Sequence, residues 1–282
     1  MTLNEIIENA IKEDIGNGDY TSLACIPGQL NGEAQLLVKE SGIIAGINVA
    51  EAVLKTVNSK LQINLMKKDG DTVERGDVVF TVKGNVRSLL QAERIVLNFM
   101  QRMSGIATKT NQFVKLLEGS TAKLLDTRKT TPGLRFLEKE AVRIGGGYNH
   151  RMGLYDMIMI KDNHIDFAGG VEKAIKAVNS YLKEKKLKLK IEIEARNINE
   201  VMDVIRVGGV DIIMLDNFTK RELKYAIKII DRKILTEVSG GINENNIDDY
   251  ARIGIDYISV GALTNNVKAL DLSFKAKDII IS

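Results

Sequence analysis

From about residue 107 onward, short apolar runs alternate with longer amphipathic stretches. The runs at 123–127, 157–161, 190–195, 212–216, 234–239 and 257–261 have the length and composition of buried strands. Between them, 134–144, 170–186, 198–207, 219–230 and 243–252 carry apolar residues at helical spacing. Alternation of this kind predicts a parallel sheet closed or covered by helices. Six strands fall short of the eight of a full barrel. The pattern therefore predicts an incomplete α/β barrel of six or seven strands.

The first hundred residues have another texture. Residues 3–14 predict a helix with Ile6, Ile7 and Ile11 on one face, followed by the turn Gly16-Asn17-Gly18-Asp19. Residues 33–49 alternate and carry Gly42 and Gly46, which predicts strands and tight turns; Ala50 to Val57 reads as a short helix. Turn signals at Asp69-Gly70 and Arg75-Gly76-Asp77 predict short strands joined by hairpins across 65–84. That stretch resembles the half-barrels of biotinyl carrier modules, but the carrier lysine between methionines is missing, so a structural sheet is the better reading. Residues 88–105 predict a helix, with Ser88 to cap it and Gly105 to end it. Arg94, Asn98 and Arg102 share one of its faces, which by pattern alone is a solvated stripe. The fold class is therefore α/β, with a first domain at 1–106 and the barrel at 107–269, the tail 270–282 free to return to the first domain.

Bulk numbers exclude several classes. A net charge of +3 over 282 residues does not by itself imply nucleic acid. One cysteine, Cys25, rules out an internal disulfide and a cysteine-based zinc site. The N-terminus lacks a basic start followed by an apolar run, and no apolar stretch is long enough to span a membrane. The expectation is a cytoplasmic protein with neither nucleic acid nor membrane as partner. The lysine-rich run Lys183 to Lys190 reads as a solvated helix end.

In barrel-like folds the working groups sit just beyond the strand C-termini. Here the strands end in Arg128, Lys161, Glu194, Asp216, Ser239-Gly240-Gly241 and Gly261. The cations concentrate between Asp126 and His164, a stretch that also holds Lys129, His150 and Arg151. Arginine grips a carboxylate with two parallel hydrogen bonds and lysine adds a point charge, so this basic rim suits an anionic substrate. The glycine end reads as a phosphate pocket. Ser239-Gly240-Gly241-Ile242-Asn243 opens a helix and Ser259-Val260-Gly261-Ala262 follows the next strand. Glu194 and Asp216 are neighbouring acids; either Mg²⁺ lies between them and substrate phosphate oxygens, or they pair with Lys161 or Arg128. His150 and His164 lack a third ligand at metal spacing, which argues against zinc. Gly145-Gly146-Gly147 has no dinucleotide-binding frame and reads as a loop able to fold close over a ligand.

At these residues the sequence resembles the quinolinate phosphoribosyltransferase family. The matching motifs are Glu13-Asp14 with Gly18-Asp19 and Thr21; Ala92-Glu93-Arg94 with Leu97-Asn98; and Ser104-Gly105-Ile106-Ala107-Thr108. They continue with DTRKTTPGLR from Asp126, GGGYNHR from Gly145, Met159 to His164, Ile193-Glu194, Leu215-Asp216-Asn217, Ser239-Gly240-Gly241 and Gly261-Ala262. The resemblance implies that the first domain is an N-terminal α/β sandwich domain, and it implies transfer of phosphoribosyl from 5-phosphoribosyl-1-pyrophosphate to quinolinate with Mg²⁺. The products are nicotinate mononucleotide, pyrophosphate and carbon dioxide. It implies a homodimer, or a hexamer of dimers, with Arg94 contributed from the neighbouring subunit. It places Thr127, Arg128, Lys129, His150, Arg151 and Lys161 at the substrates and Glu194 and Asp216 at the ribose and metal side. Ser239, Gly240, Gly241, Gly261 and Ala262 fall to the phosphates. Lys129, Lys161, Glu194 and Asp216 carry the catalytic expectation, with Lys129 or Lys161 near the departing carboxylate. The rivals are a paralogue of the same fold associated with molybdate uptake, a sugar-phosphate lyase or isomerase, and a non-catalytic sensor of an acidic metabolite.

Overall fold

The computed structural model describes residues 2–280; Met1 of the expected first domain and residues 281 and 282 of the expected tail lie outside the described residues. The chain forms two compact units. One comprises Met1–Gln112, Thr130–Gly146 and Leu263–Ser282, the other Phe113–Lys129 and Gly147–Ala262.

The first unit opens with α1 (Leu3–Ile15), held by a capping box in which Thr2 and Glu5 exchange hydrogen bonds. The turn predicted after it contributes Asp19, which caps a short helix that the pattern does not predict, α2 (Tyr20–Cys25). Then come β1 (Asn31–Val38), β2 (Gly42–Ile43), α3 (Ile47–Val57), β3 (Gln62–Leu65), β4 (Thr72–Val73) and β5 (Val78–Asn85). Helix α3 starts before Ala50 because Asp69, on a distant turn, accepts from the Ile47 N–H at 2.9 Å. A cap 22 residues away is invisible to local pattern.

The next helix, α4 (Val86–Leu116), corrects two expectations. Asn85, not Ser88, caps it: the Asn85 side chain accepts from the Ser88 N–H. Gly105 does not end it. A Cβ on Gly105 would lie 2.3 Å from the Lys268 carbonyl oxygen and 3.1 Å from the Ala269 Cα, so glycine lets another segment cross the helix surface. Gly105→Ala should therefore cost about 1–3 kcal/mol in denaturant unfolding, the clash outweighing alanine's better helix propensity. Arg102 departs from the solvated-stripe reading as well. It donates to Glu138 and to Thr131 at 2.8 Å each, tying α4 to the segment Thr130–Gly146.

Along the rest of the chain lie β6 (Lys123–Leu125), α5 (Arg135–Ile144), β7 (Ile158–Ile160), α6 (Asp162–Ala168), α7 (Val171–Lys185), β8 (Ile191–Ala195) and α8 (Ile198–Val207). They are followed by β9 (Ile212–Asp216), α9 (Lys220–Ile230), β10 (Leu235–Ser239), α10 (Ile247–Ala251), β11 (Tyr257–Ser259), α11 (Ala262–Asn265) and β12 (Leu272–Ile280). The first unit is built on an antiparallel sheet of order β12-β1-β5-β3, with β2 paired to β4 apart from it. Leu36, Val38, Val53, Leu54, Phe80, Val82, Val96 and Met100 form its apolar core.

The second unit is a parallel sheet of order β6-β11-β10-β9-β8-β7. The first and second strands in chain order are its two edges, so the ring of strands is not closed between them. Tyr148 makes a parallel bridge to Leu125 at the β6 edge, which gives the six-stranded sheet the start of a seventh member. Helix α10 is shorter than 243–252 and does not start at the glycines. Asn243 and Asn246 fold the chain into a turn first, the Asn243 N–H donating to the Asn246 side chain at 2.8 Å.

Candidate active site

Arg128 and Lys129 follow β6 and Lys161 follows β7, while His150 and Arg151 follow the Tyr148 bridge at the β6 edge, all in the second unit. Asp126 closes β6 fully buried, and its carboxylate accepts from the His150 N–H at 2.8 Å and from the Asn149 side chain at 2.6 Å. This fixes the segment Tyr148–Arg151 beside Arg128 and Lys129, which are exposed. Thr127 accepts from the Lys129 N–H at 3.0 Å and shapes the same turn. The Arg151 guanidinium donates to the Met157 carbonyl at 3.2 Å. Burial first, and then the like charge of Arg128, hold Arg151 below its usual pKa.

Lys161 caps α6, and its ammonium pairs with Glu194 Oε2 at 2.8 Å. Of the two alternatives the sequence leaves for Glu194, the structure shows the ion pair. Asp216, at the end of β9, is gripped by the glycine loop. Ser239 Oγ donates to one of its oxygens and the Asn217 amide to the other at 2.6 Å. The Asn217 N–H in turn reaches the Ser239 carbonyl at 3.1 Å. Asn217 and Gly240 both have positive φ, 56° and 95°, so acid and loop form one tight knot. Gly241 is exposed, while Gly261 and Ala262 lead into α11. Arg94 lies exposed on α4, in the first unit. The triple glycine is less of a lid than its composition suggests. Gly145 is buried, and a Cβ there would lie 2.5 Å from the Ala107 carbonyl oxygen, so its role is close packing on α4.

Residues 106–275 match the family model of the quinolinate phosphoribosyl transferase C-terminal domain, and residues 19–104 that of the N-terminal domain. The chain belongs to the quinolinate phosphoribosyltransferase family. It is 45% identical over 288 residues to "Quinolinate phosphoribosyltransferase [decarboxylating] 2, mitochondrial" of Nicotiana glauca, covering 97% of this chain and 82% of that one. To the "Probable nicotinate-nucleotide pyrophosphorylase [carboxylating]" of Bacillus subtilis it is 42% identical over 273 residues, covering 97% and 93%. Among solved structures, NadC from Streptococcus pyogenes superposes with a TM-score of 0.93 at 39% identity, covering 98% of this chain and 96% of that one.

The most conspicuous group in this quinolinate phosphoribosyltransferase chain is one that motif reading misses. His150 Nε2 lies 2.9 Å from Glu192 on β8 and 3.5 Å from Glu237 on β10, and both glutamates are fully buried. The available signal is an acid in the middle of an apolar strand, Ile191-Glu192-Ile193 and Thr236-Glu237-Val238, where ionisable groups seldom sit without a partner. Burial pushes the His150 ring down, but the two carboxylates outweigh it and raise it to about 9. Burial raises Glu192 to about 7, against the pull of His150. The Arg151 N–H points at His150 Nδ1 at 2.8 Å, so that nitrogen offers its lone pair. Once the ring is neutral, above about pH 9, its remaining proton lies on Nε2, toward Glu192. Folded, the group therefore binds protons more tightly than the unfolded chain. Its stabilisation is full below the unfolded values, 4.5 for Glu192 and 6.5 for His150, and is lost as pH rises through about 7 and about 9. Melting temperature should fall between about pH 5 and about pH 9, and Glu192→Gln should flatten the fall at its acidic end.

Proposed function

We infer that the protein transfers the phosphoribosyl group of 5-phosphoribosyl-1-pyrophosphate to quinolinate and removes a carboxylate. The products are nicotinate mononucleotide, pyrophosphate and carbon dioxide, a step of NAD biosynthesis. The observation that carries the assignment is the meeting, in one family member, of a basic set with a glycine loop knotted to an acid. Arg128, Lys129, His150, Arg151 and Lys161 form the acid-substrate side, suited to a dicarboxylate. Ser239, Gly240, Gly241, Gly261 and Ala262 form the phosphate side, and Thr127 shapes the turn that carries Arg128 and Lys129. Glu194 and Asp216 lie between the two.

In this reading the pyridine nitrogen attacks the anomeric carbon as the bond to pyrophosphate breaks. Positive charge develops on the ribose, and Glu194 and Asp216 are its counter-charges. The ribosylated nitrogen is then cationic. Its positive charge stabilises the electron pair left on the adjacent ring carbon when carbon dioxide departs, and a proton then bonds to that pair. Magnesium belongs to the incoming phosphoribosyl substrate. Glu194 Oε2 is already paired with Lys161, and both Asp216 oxygens accept hydrogen bonds, so the chain fits an ion carried mainly by phosphate oxygens. Bound, it offsets charge on the leaving group. Arg94 serves a second copy's site in a homodimer or a hexamer of dimers, and the enzyme works in the cytoplasm; among the described residues no helix is long and apolar enough to cross a membrane. The test is product analysis with quinolinate, 5-phosphoribosyl-1-pyrophosphate and Mg²⁺, with nicotinate as the alternative acceptor. Nicotinate mononucleotide with carbon dioxide from quinolinate alone is expected. Product from nicotinate, or from neither, would overturn the reading and favour the paralogue or the sensor.

A further inference from the structure

We propose that Glu192 and Glu237 are positioning residues of the acid-substrate pocket: they hold the His150 ring in one orientation, and the ring fixes the backbone from which Arg151 reaches the substrate. The proposal rests on the reading of Arg151 as a quinolinate ligand.

The path is continuous in the structure. Glu192 stands two residues before Glu194 on β8, and Glu237 two residues before Ser239 on β10. Side chains two apart share a strand face, so both acids lie one layer beneath residues of the proposed site. From there they converge on one edge of the imidazole, at 2.9 and 3.5 Å from Nε2. The opposite edge is met by the Arg151 N–H at 2.8 Å. On the other side of the peptide, Asp126 holds the His150 N–H at 2.8 Å, and the Arg151 guanidinium is tied to the Met157 carbonyl. Strands β6, β8 and β10 thus clamp two consecutive residues. Preorganised, the guanidinium meets a carboxylate without first being ordered.

Stability alone does not account for the two acids. Apart from the imidazole contact, the four buried oxygens of Glu192 and Glu237 have no hydrogen-bond partner. Packed apolar residues fill such a place at lower cost than carboxylates. What apolar residues would lose is the direction the acids impose on the ring.

The experiment combines kinetics and imidazole nitrogen NMR on the intact enzyme. Glu192→Gln and Glu237→Gln should each raise the KM for quinolinate by about 10-fold or more while the KM for 5-phosphoribosyl-1-pyrophosphate moves by less than about twofold. In a His150→Ala background, Glu192→Gln should add nothing further. The chain has two histidines, so its ring nitrogens are few enough to resolve. Above about pH 9, where the ring is neutral, His150 should show an unprotonated, hydrogen-bonded Nδ1 and a protonated Nε2, and Glu192→Gln should release it to sample both tautomers. Equal rises in both KM values with an unchanged ring signature would make the acids merely structural and overturn the proposal. A wild-type ring that, above about pH 9, still samples both tautomers or is protonated on Nδ1 would overturn it even where the variants fail to fold. A signature that appears only when a divalent metal is added would also overturn it. Should the wild-type enzyme not turn over quinolinate at all, the function reading fails while the ring signature still reports on the clamp.

Discussion

Lys161→Ala should lower turnover of quinolinate by on the order of 10²-fold or more, with carbon dioxide release falling in step with nucleotide formation. Lys161 has two tasks that the geometry separates. Its ammonium is about half exposed, while the Glu194 carboxylate it pairs with is 10% exposed. Removing the lysine leaves that acid nearly buried without its cation, at a cost of about 1–3 kcal/mol in stability. Turnover measured per folded enzyme separates the tasks: a purely structural role would leave it unchanged, whereas it should stay low because the charge facing the substrate is gone. Lys129→Ala is the companion measurement. The sequence leaves open which lysine attends the departing carboxylate, and the two single variants compare them. If single alanine changes at both lysines left turnover intact, neither would attend the decarboxylation.

The parallel sheet was legible because its strands are continuous apolar runs with helices between them. β9, at Ile212–Asp216, falls where the pattern puts it. What the pattern could not show depended on partners distant in sequence. Helix α3 begins early because of Asp69, and α4 continues through Gly105 because that glycine serves a crossing chain. In the site, charged residues at strand ends were readable one at a time, and the structure joins Lys161 to Glu194 and Asp216 to Ser239. Glu192 and Glu237 escaped because they do not stand at strand ends. Only the fold brings them to a histidine whose nearest motif is on a different strand connection. Asn217 escaped for another reason: its part is played by a left-handed backbone conformation and by a side chain turned back onto its neighbour.

That knot sets the strongest expectation for the phosphate side. Gly240→Ala should raise the KM for 5-phosphoribosyl-1-pyrophosphate by on the order of 10- to 100-fold and lower the melting temperature, with the KM for quinolinate moving far less. A Cβ on Gly240 would lie 2.1 Å from Asn217 Oδ1 and 3.1 Å from the Asn217 backbone nitrogen, at a φ of 95° that L-residues rarely adopt. The side chain cannot yield freely, because its amide donates to Asp216, whose other oxygen accepts from Ser239. Relieving the clash therefore displaces Asp216 together with the loop, so kcat should fall as well. Gly241→Ala is the matched comparison. Its φ is 63°, and nothing lies within 4 Å of the added carbon. An alanine there pays only the left-handed backbone penalty, about 1–2 kcal/mol, without disturbing the acid. If both variants had the same kinetics, the loop would be sensitive to any substitution and the Asp216 knot would have no separate role. A difference confined to Gly240 would tie the phosphate loop to the acid that faces the ribose.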